Sequence, residues 1–185
     1  MGTADWLTLD TWITSDHHWG HGNIRQYQSR PLDHFDLMRK LWVERVGEDD
    51  DLLHLGDLVW GGDKDAHPEY LVGLPGRKRL IRGNHDKHSN DWYADAGFKV
   101  LGRGNKVVRR LHLPDMVVAF THEPDTTDLF WDVNVHGHVH GNPVWQTPPP
   151  GSRYVNACVE ATGYAPVRLG KLLGFPAGTA NMIDL

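Results

Sequence analysis

Cysteine is nearly absent from this chain of 185 residues, which contains Cys158 alone. One cysteine cannot form an internal disulfide, so a disulfide-stabilised scaffold and a zinc finger built on cysteines are both excluded. Long apolar runs are missing as well: no stretch approaches about 18 consecutive apolar residues, so no transmembrane helix is expected. The first ten residues lack the positive charge and the apolar run of a signal peptide. We therefore expect a protein of the reducing cytoplasm.

An excess of positive charge is also absent. Lys and Arg number 19 against 24 Asp and Glu, which gives a formal net charge of -5 at pH 7. Such a chain has no general attraction for nucleic acid or for an anionic membrane surface, so we expect neither a strong nucleic-acid surface nor a membrane partner. Any recognition of phosphate must then be local.

Histidine, in contrast, is abundant, with 13 residues. Imidazole is a common metal ligand and an acid or base near neutral pH. The remaining composition, 39% hydrophobic and 23% charged residues, is ordinary for a globular protein. No repeat and no long linker divides the chain, so a single domain over residues 1–185 is predicted. The pattern does not specify an oligomeric state.

Short apolar runs alternate with amphipathic stretches, which predicts an α/β or mixed α+β domain. Four strands are predicted to stop at polar or glycine turns, over residues 12–14, 52–55, 79–82 and 117–120. Hydrophobic residues at helical spacing between positions 35 and 46 predict a helix, with Asp33 as its N-cap and Gly47 as its C-cap. Two closing strands are predicted within residues 154–160 and 165–169.

Side chains able to bind a metal follow each of the first four strands. Because ligands in open α/β sheets bind at the carboxyl ends of strands, we expect these side chains to converge on one crevice. A fifth segment, residues 133–140, ends in histidines at alternate positions. Residues two apart in a strand face the same side, so His138 and His140 are expected to point into one site if this segment is extended.

In chain order, the strand ends give Asp16-His17-His18, Gly56-Asp57, Gly83-Asn84-His85-Asp86, His122 and Gly137-His138-Val139-His140. This series closely resembles the motif set of the calcineurin-like metallophosphoesterase superfamily, written D-x-H, G-D, G-N-H-[DE], H and G-H-x-H. Each motif alone is a weak signal, whereas five in the right order are specific. The resemblance implies a two-sheet β-sandwich flanked by helices, a four-layer αββα arrangement.

The same resemblance implies a centre of two divalent metal ions. One ion would be held by Asp16, His18 and His140, and the other by Asn84, His122 and His138, with Asp57 bridging both. Mixed nitrogen and oxygen ligands suit first-row divalent metals; manganese is expected, with iron, nickel, zinc or magnesium as alternatives. Two carboxylates and a bridging hydroxide would leave the centre about one charge positive. Such a centre attracts an anionic phosphoester even though the chain is acidic.

Hydrolysis of a phosphoester is the reaction implied by the resemblance. The expected substrates are small phosphodiesters, with 2',3'- or 3',5'-cyclic nucleotides as candidates, attacked by a metal-bridging hydroxide. His85 would act as the general acid toward the leaving oxygen, and Asp86 would orient the His85 imidazole. A longer first motif of small bacterial and phage-encoded members, roughly D-x-H-[FW]-G-H-x-N, places His21 and Asn23 on the substrate side.

Three other functions fit the same motifs. A phosphomonoesterase and a nuclease belong to the same superfamily, and the acidic charge balance weighs against the nuclease. A non-enzymatic scaffold of the same fold is the third, although such scaffolds usually lose metal ligands that this chain keeps.

Two further features lie outside the metal motifs. Trp19 and Trp60 follow metal motifs directly and could form an aromatic rim that stacks a nucleobase. Asn156 followed by Val159-Glu160 resembles the N-x-x-[VL]-[DE] segment that follows G-H-x-H in the small relatives.

Overall fold

The computed structural model describes residues 6–60, 69–103, 109–127, 130–144, 147–148 and 150–176. Within those ranges the strands are β1 Trp12–Thr14, β2 Asp51–His54, β3 Arg77–Arg82, β4 Phe98–Arg103, β5 Arg109–Leu113, β6 Met116–Thr121, β7 Val133–His136, β8 Arg153–Asn156 and β9 Val167–Arg168. The helices are α1 Ile24–Tyr27, α2 His34–Arg45, α3 Asn90–Asp95, α4 Val159–Thr162 and α5 Leu169–Leu173, with a 3-10 turn at Glu69–Leu71. None of these helices is long and apolar enough to cross a membrane.

The strands form two mixed sheets. The first has five strands in the order β4-β3-β2-β1-β9, in which β1 to β4 are parallel neighbours and β9 runs antiparallel to β1. The second has four strands in the order β5-β6-β7-β8, in which β6, β7 and β8 are parallel and β5 is antiparallel. Two mixed sheets with flanking helices give the αββα arrangement, so the expected fold class is confirmed.

Neighbouring residues of the central strands face two different cores. Leu53 of β2 packs in the core between the sheets with Phe120 of β6. Leu52, its neighbour, packs on the other face with Trp42 of α2. Side chains alternate across a strand, so a strand covered on both faces needs a continuous apolar run. Each such leucine, fully buried here, contributes about 1.5–3 kcal/mol to the free energy of unfolding.

The predicted helix forms as α2, but its ends differ from the prediction. Asp33 occupies the N-cap position without a side-chain capping hydrogen bond, and the C-cap is Val46 rather than Gly47. Val46 is 3% exposed and extended, so the chain leaves the helix one residue early to bury this side chain in the core beside Trp42. The Gly47 amide donates instead to the Asp50 carboxylate.

Four predicted strands are confirmed as β1, β2, β3 and β6, and each ends within one residue of its predicted end. The segment predicted over residues 154–160 leaves its strand at Asn156 and starts α4 at Val159. The segment predicted over residues 165–169 contains the short β9 and then enters α5 at Leu169.

Candidate metal centre

Loops that follow the strands bring the predicted ligands together at one edge of the two sheets. They form two groups, and within each group the ligand atoms all lie within 4.8 Å of one another. The first group is Asp16, His18 and His140, and the second is Asp57, His122 and His138. Asn84 joins the second group, because its Oδ1 lies 2.8 Å from Nε2 of His122 and 3.0 Å from Nδ1 of His138. All seven ligands expected from the sequence therefore converge.

Asp57 belongs to the second group but also approaches the first. Its Oδ2 is 3.4 Å from Nε2 of His18 in the first group and 3.5 Å from Nε2 of His122 in the second. Its Oδ1 accepts a hydrogen bond of 2.8 Å from the backbone amide of His85. One oxygen is thus anchored to the main chain, while the other faces both groups, as a bridging ligand requires.

The final ligand segment is not extended as expected. Strand β7 ends at His136, and His138 and His140 both have left-handed backbone, with φ values of 69° and 54°. The turn directs the two side chains to different groups, His138 toward Asp57 and His140 toward Asp16. The extended conformation is therefore wrong, but both side chains still reach the centre, each in the ligand group that the resemblance implies.

Left-handed backbone is concentrated in the ligands. Among the described residues, six non-glycine residues have positive φ, and five of them are Asp16, His18, Asp57, His138 and His140. This conformation costs about 1–3 kcal/mol for each residue and persists only where surrounding contacts enforce it. Strain of this kind gathers at functional sites, which supports a binding role for the cluster.

Buried atoms without partners show that the ligands fit a metal ion. Oδ1 of Asp16 and both ring nitrogens of His18 are buried and lack a hydrogen-bond partner. Leaving such a group unsatisfied costs about 1–3 kcal/mol, and a coordinated cation removes that cost. The other oxygen of Asp16 accepts from the His138 amide at 2.9 Å and the Cys158 thiol at 3.3 Å. The two groups are therefore consistent with a dinuclear site of nitrogen and oxygen ligands.

Opposite charges in the cluster hold the Asp57 carboxylate ionised. Burial opposes ionisation of Asp57, but its hydrogen bond to His122 brings its pKa below the ordinary value. Burial also opposes protonation of His122, yet contact with Asp57 raises its pKa to about 9. The charged form of Asp57, which is the form that binds metal, is thus available at neutral pH.

Asp86 does not orient His85, and that expectation is wrong. Its Oδ2 accepts from the amides of Asp57 and Gly83, each at 2.8 Å, and its Oδ1 accepts from Leu58 and the Tyr93 hydroxyl. The carboxylate is fully buried, and burial raises its pKa. Asp86 therefore joins the loops that follow β2 and β3. The indole of Trp60 packs beside the His85 imidazole, with ring centroids 4.3 Å apart.

A cleft of about 520 Å³ opens beside the first ligand group. His18, His85 and His140 line it together with His21 and Asn23, so both predicted substrate-side residues face it. Trp60 also lines the cleft; it is 37% exposed, and its ring stacks on His21 with centroids 3.9 Å apart.

Trp19 does not form the expected rim. It is fully buried, and its ring packs near His17 and Trp42 in the core. Of the other histidines, His17 bonds to His54 in the interior at 2.9 Å, and His67 lies outside the described residues.

Arg30 and Glu160 contact the centre, although no role was predicted for either residue. Glu160 accepts a hydrogen bond from His140, and Arg30 bonds to both Glu160 and the loop that carries Asp16. Glu160 belongs to the segment after Asn156 that resembles one in the small relatives, and that resemblance was the signal in the sequence that could have indicated a role for Glu160. Arg30 lies in a polar stretch with no pattern of its own.

At two motif glycines, the absence of a Cβ makes room for the carboxylate ligands. A Cβ on Gly83 would collide with Oδ1 of Asp57, and one on Gly137 would collide with Oδ2 of Asp16 and Oγ of Ser15. The glycines of these motifs are therefore required by close packing against the carboxylate ligands.

Gly137→Ala should displace Asp16. Overpacking of this kind lowers the free energy of unfolding by about 1–3 kcal/mol, and we expect manganese binding to weaken with it. Denaturant unfolding and manganese titration measure the two effects. Gly47→Ala is the matched control, since its new Cβ would meet Asp50 at an ordinary 3.5 Å. Unchanged manganese affinity in Gly137→Ala would show that the position of Asp16 does not matter.

Comparisons with known proteins place the chain in a family. It is 30% identical over 165 residues to the uncharacterized protein MJ1445 of Methanocaldococcus jannaschii, covering 85% of this chain and 86% of that protein. It is 41% identical over 91 residues to the gene 66 protein of Mycobacterium phage D29, a match that spans 47% of this chain and 45% of the phage protein. No protein-family model matches the chain.

Among solved structures, the protein of unknown function AQ665 from Aquifex aeolicus has the same fold, with a TM-score of 0.63 at 24% identity. The alignment covers 85% of this chain and 94% of that one. The chain therefore belongs to the family of MJ1445. Its ordered motifs and its two-sheet αββα arrangement are the ones that the resemblance to the calcineurin-like metallophosphoesterase superfamily implies.

Proposed function

We propose that this protein is a metal-dependent phosphoesterase that hydrolyses small phosphodiesters. The observation that carries the proposal is the position of Asp57, whose Oδ2 lies 3.4 Å from His18 and 3.5 Å from His122, between two groups of metal-capable ligands. Two cation sites that share one carboxylate are suited to an anionic phosphate group.

Manganese is the proposed metal, with iron, nickel, zinc and magnesium as alternatives for these ligands. One ion would bind Asp16, His18 and His140, the other would bind Asn84, His122 and His138, and Asp57 would contact both. A pair of divalent ions, when bound, polarises the phosphoryl oxygens and lowers the pKa of a coordinated water. The protein fixes the ligands: the main chain and Cys158 anchor one oxygen of Asp16, and the His85 amide anchors one oxygen of Asp57.

His85 is the proposed general acid. Its ring lines the cleft 5.2 Å from the ring of His18, and Trp60 packs beside it. The backbone amide of His85 donates to Asp57, so the main chain of His85 keeps a fixed position relative to the ligands. Burial lowers the pKa of His85, which makes its protonated form a stronger acid toward a leaving oxygen.

The organic part of the substrate is proposed to lie against His21 and Asn23. Both line the cleft, and Tyr27, which is 70% exposed, lines it beside them. A cleft of about 520 Å³ admits a small molecule, and its aromatic surface suits a planar group such as a nucleobase. Cyclic nucleotides of the 2',3' and 3',5' types are therefore the proposed candidates among small phosphodiesters.

A hydrolysis panel tests the proposal. Bis(p-nitrophenyl) phosphate, p-nitrophenyl phosphate, cyclic nucleotides and short oligonucleotides are each incubated with protein loaded with manganese, magnesium, nickel or zinc. We expect the diesters to be hydrolysed faster than the monoester, with manganese the most effective metal. Faster hydrolysis of the monoester would overturn the diester assignment. No hydrolysis of any ester with any metal would overturn the enzymatic function and favour the scaffold.

A further inference from the structure

A buried ion pair lies directly behind the first ligand group. The Arg30 side chain is fully buried and that of Glu160 is 8% exposed. Nη2 and Nε of Arg30 lie 2.6 Å and 2.8 Å from Oε1 of Glu160. The two residues are far apart in the chain, so this contact depends on the folded state.

Glu160 determines which nitrogen of His140 faces the metal centre. Oε1 of Glu160 lies 3.0 Å from Nδ1 of His140. An ionised carboxylate only accepts hydrogen bonds, so Nδ1 must carry the hydrogen, and the lone pair of a neutral imidazole is then on Nε2. That Nε2 faces Oδ1 of Asp16 at 3.9 Å. The contact therefore selects the tautomer and the ring orientation that a metal ligand needs.

Arg30 connects Glu160 to the loop that carries the other two ligands of the group. Its Nη2 donates to the carbonyl of Asp16 and its Nη1 to the carbonyl of His17, both at 2.7 Å. Asp16 and His18 have left-handed backbone, which this guanidinium helps to hold. One cation thus joins the carboxylate behind His140 to the backbone that positions Asp16 and His18.

Stability alone does not account for this pair. Removing two charges from water costs several kcal/mol for each ion, and hydrophobic residues of the same volume are often as stable or more stable. Carboxylates that accept from metal-binding histidines, in contrast, typically change metal affinity about 10–100-fold when mutated. The contacts of Glu160 with His140 and of Arg30 with the Asp16 carbonyl are those that support of a metal ligand requires.

We propose that Glu160 and Arg30 are positioning residues that strengthen divalent-metal binding by Asp16, His18 and His140. The inference rests on the proposed two-metal centre. It goes beyond that centre by assigning a role to two residues that are not ligands.

Manganese titration calorimetry of the metal-free full-length protein tests the inference. Glu160→Gln keeps the side-chain volume and removes the charge, and we expect one of the two manganese sites to weaken by about 10–100-fold while the other stays within about twofold. The matched control is Asp51→Asn, which removes the charge from a carboxylate paired with Arg77 and Arg79 away from the ligands. That control should leave both affinities unchanged. Unchanged affinities in Glu160→Gln, or equal weakening of both sites, would overturn the inference.

A double-mutant cycle with His140→Ala separates positioning from general destabilisation. If Glu160 acts through His140, Glu160→Gln should have no further effect on manganese affinity once His140 is absent. Additive losses would overturn the inference. If Glu160→Gln does not fold, Arg30→Lys provides the second variant. Lysine keeps the positive charge but cannot make all the contacts of Arg30, so we expect manganese binding at the same site to weaken. Unchanged manganese affinity in Arg30→Lys would overturn the inference.

Failure of the inference about Glu160 and Arg30 can be distinguished from failure of the proposed phosphoesterase function. Wild-type protein that binds two manganese ions but hydrolyses nothing would remove the function and leave this test intact. Wild-type protein that binds no manganese would overturn both.

Discussion

Replacing Asp57 by asparagine should lower kcat/KM for phosphodiesters by at least about 1,000-fold, since a metal centre supplies several kcal/mol of transition-state stabilisation and about 4 kcal/mol corresponds to that factor. Oδ2 of Asp57 faces both ligand groups, so its loss affects two ions at once. Asparagine keeps the shape but removes one of the two negative charges of the ligand set. We expect metal binding and turnover to fall together.

Metal content and initial rates measure this result on the same samples. Asp50→Asn is the matched control, because Asp50 lies in the loop before β2, at the opposite end of that strand from Asp57, and bonds to Trp12 and Arg168. It should keep both manganese ions and its activity. Asp57→Asn protein that retains two ions and ordinary turnover would remove the bridging role from Asp57.

His85→Ala should lower turnover by about 100- to 10,000-fold for diesters with an alkoxide leaving group, the range of general acid catalysis. The loss should be much smaller for a p-nitrophenolate leaving group, because a stable anion departs without a proton. Metal content should stay at the wild-type value, since the His85 side chain lies outside both ligand groups.

Rates for an alkyl diester and a p-nitrophenyl diester, compared in the same variant, measure this difference. His112→Ala serves as the control, because His112 is exposed on β5 and should affect neither rate. Equal losses for the two leaving groups would show that His85 acts on something other than the leaving oxygen. Full activity in His85→Ala would remove it from the mechanism.

The ligand set could be predicted because its signals are local. Apolar strands that stop at a glycine or a polar residue are visible in the sequence, and Asp16, Asp57 and His122 each follow such a strand. Parallel pairing of β1 with β2 and of β6 with β7 then brings their ends to one edge. The α/β class followed from the alternation of apolar runs with amphipathic stretches, and the αββα arrangement was implied by the resemblance of the motif order to the metallophosphoesterase superfamily.

The predictions that were wrong concern features that depend on backbone conformation or on contacts between residues distant in the chain. Alternate histidines suggested a strand, but only the φ angles of His138 and His140 reveal the turn. Asp86 was expected to act on its neighbour His85, whereas it accepts hydrogen bonds from amides of two separate loops. Trp19 follows the first motif directly, yet packing with Trp42 draws it into the core.

The pair of Arg30 and Glu160 is the clearest case of a feature that the sequence does not reveal. Neither residue belongs to a periodic pattern that predicts burial, and their contact is produced by the return of the chain through β8 into α4. A buried charge pair is recognised only when both partners and their burial are known.

The central claim is that two cations share Asp57, and anomalous diffraction from crystals of the manganese-loaded protein tests it most directly. We predict two manganese peaks about 3.5–4 Å apart on either side of the Asp57 carboxylate, one next to Asp16, His18 and His140 and the other next to Asn84, His122 and His138. A single peak, or two peaks that do not share Asp57, would contradict the account.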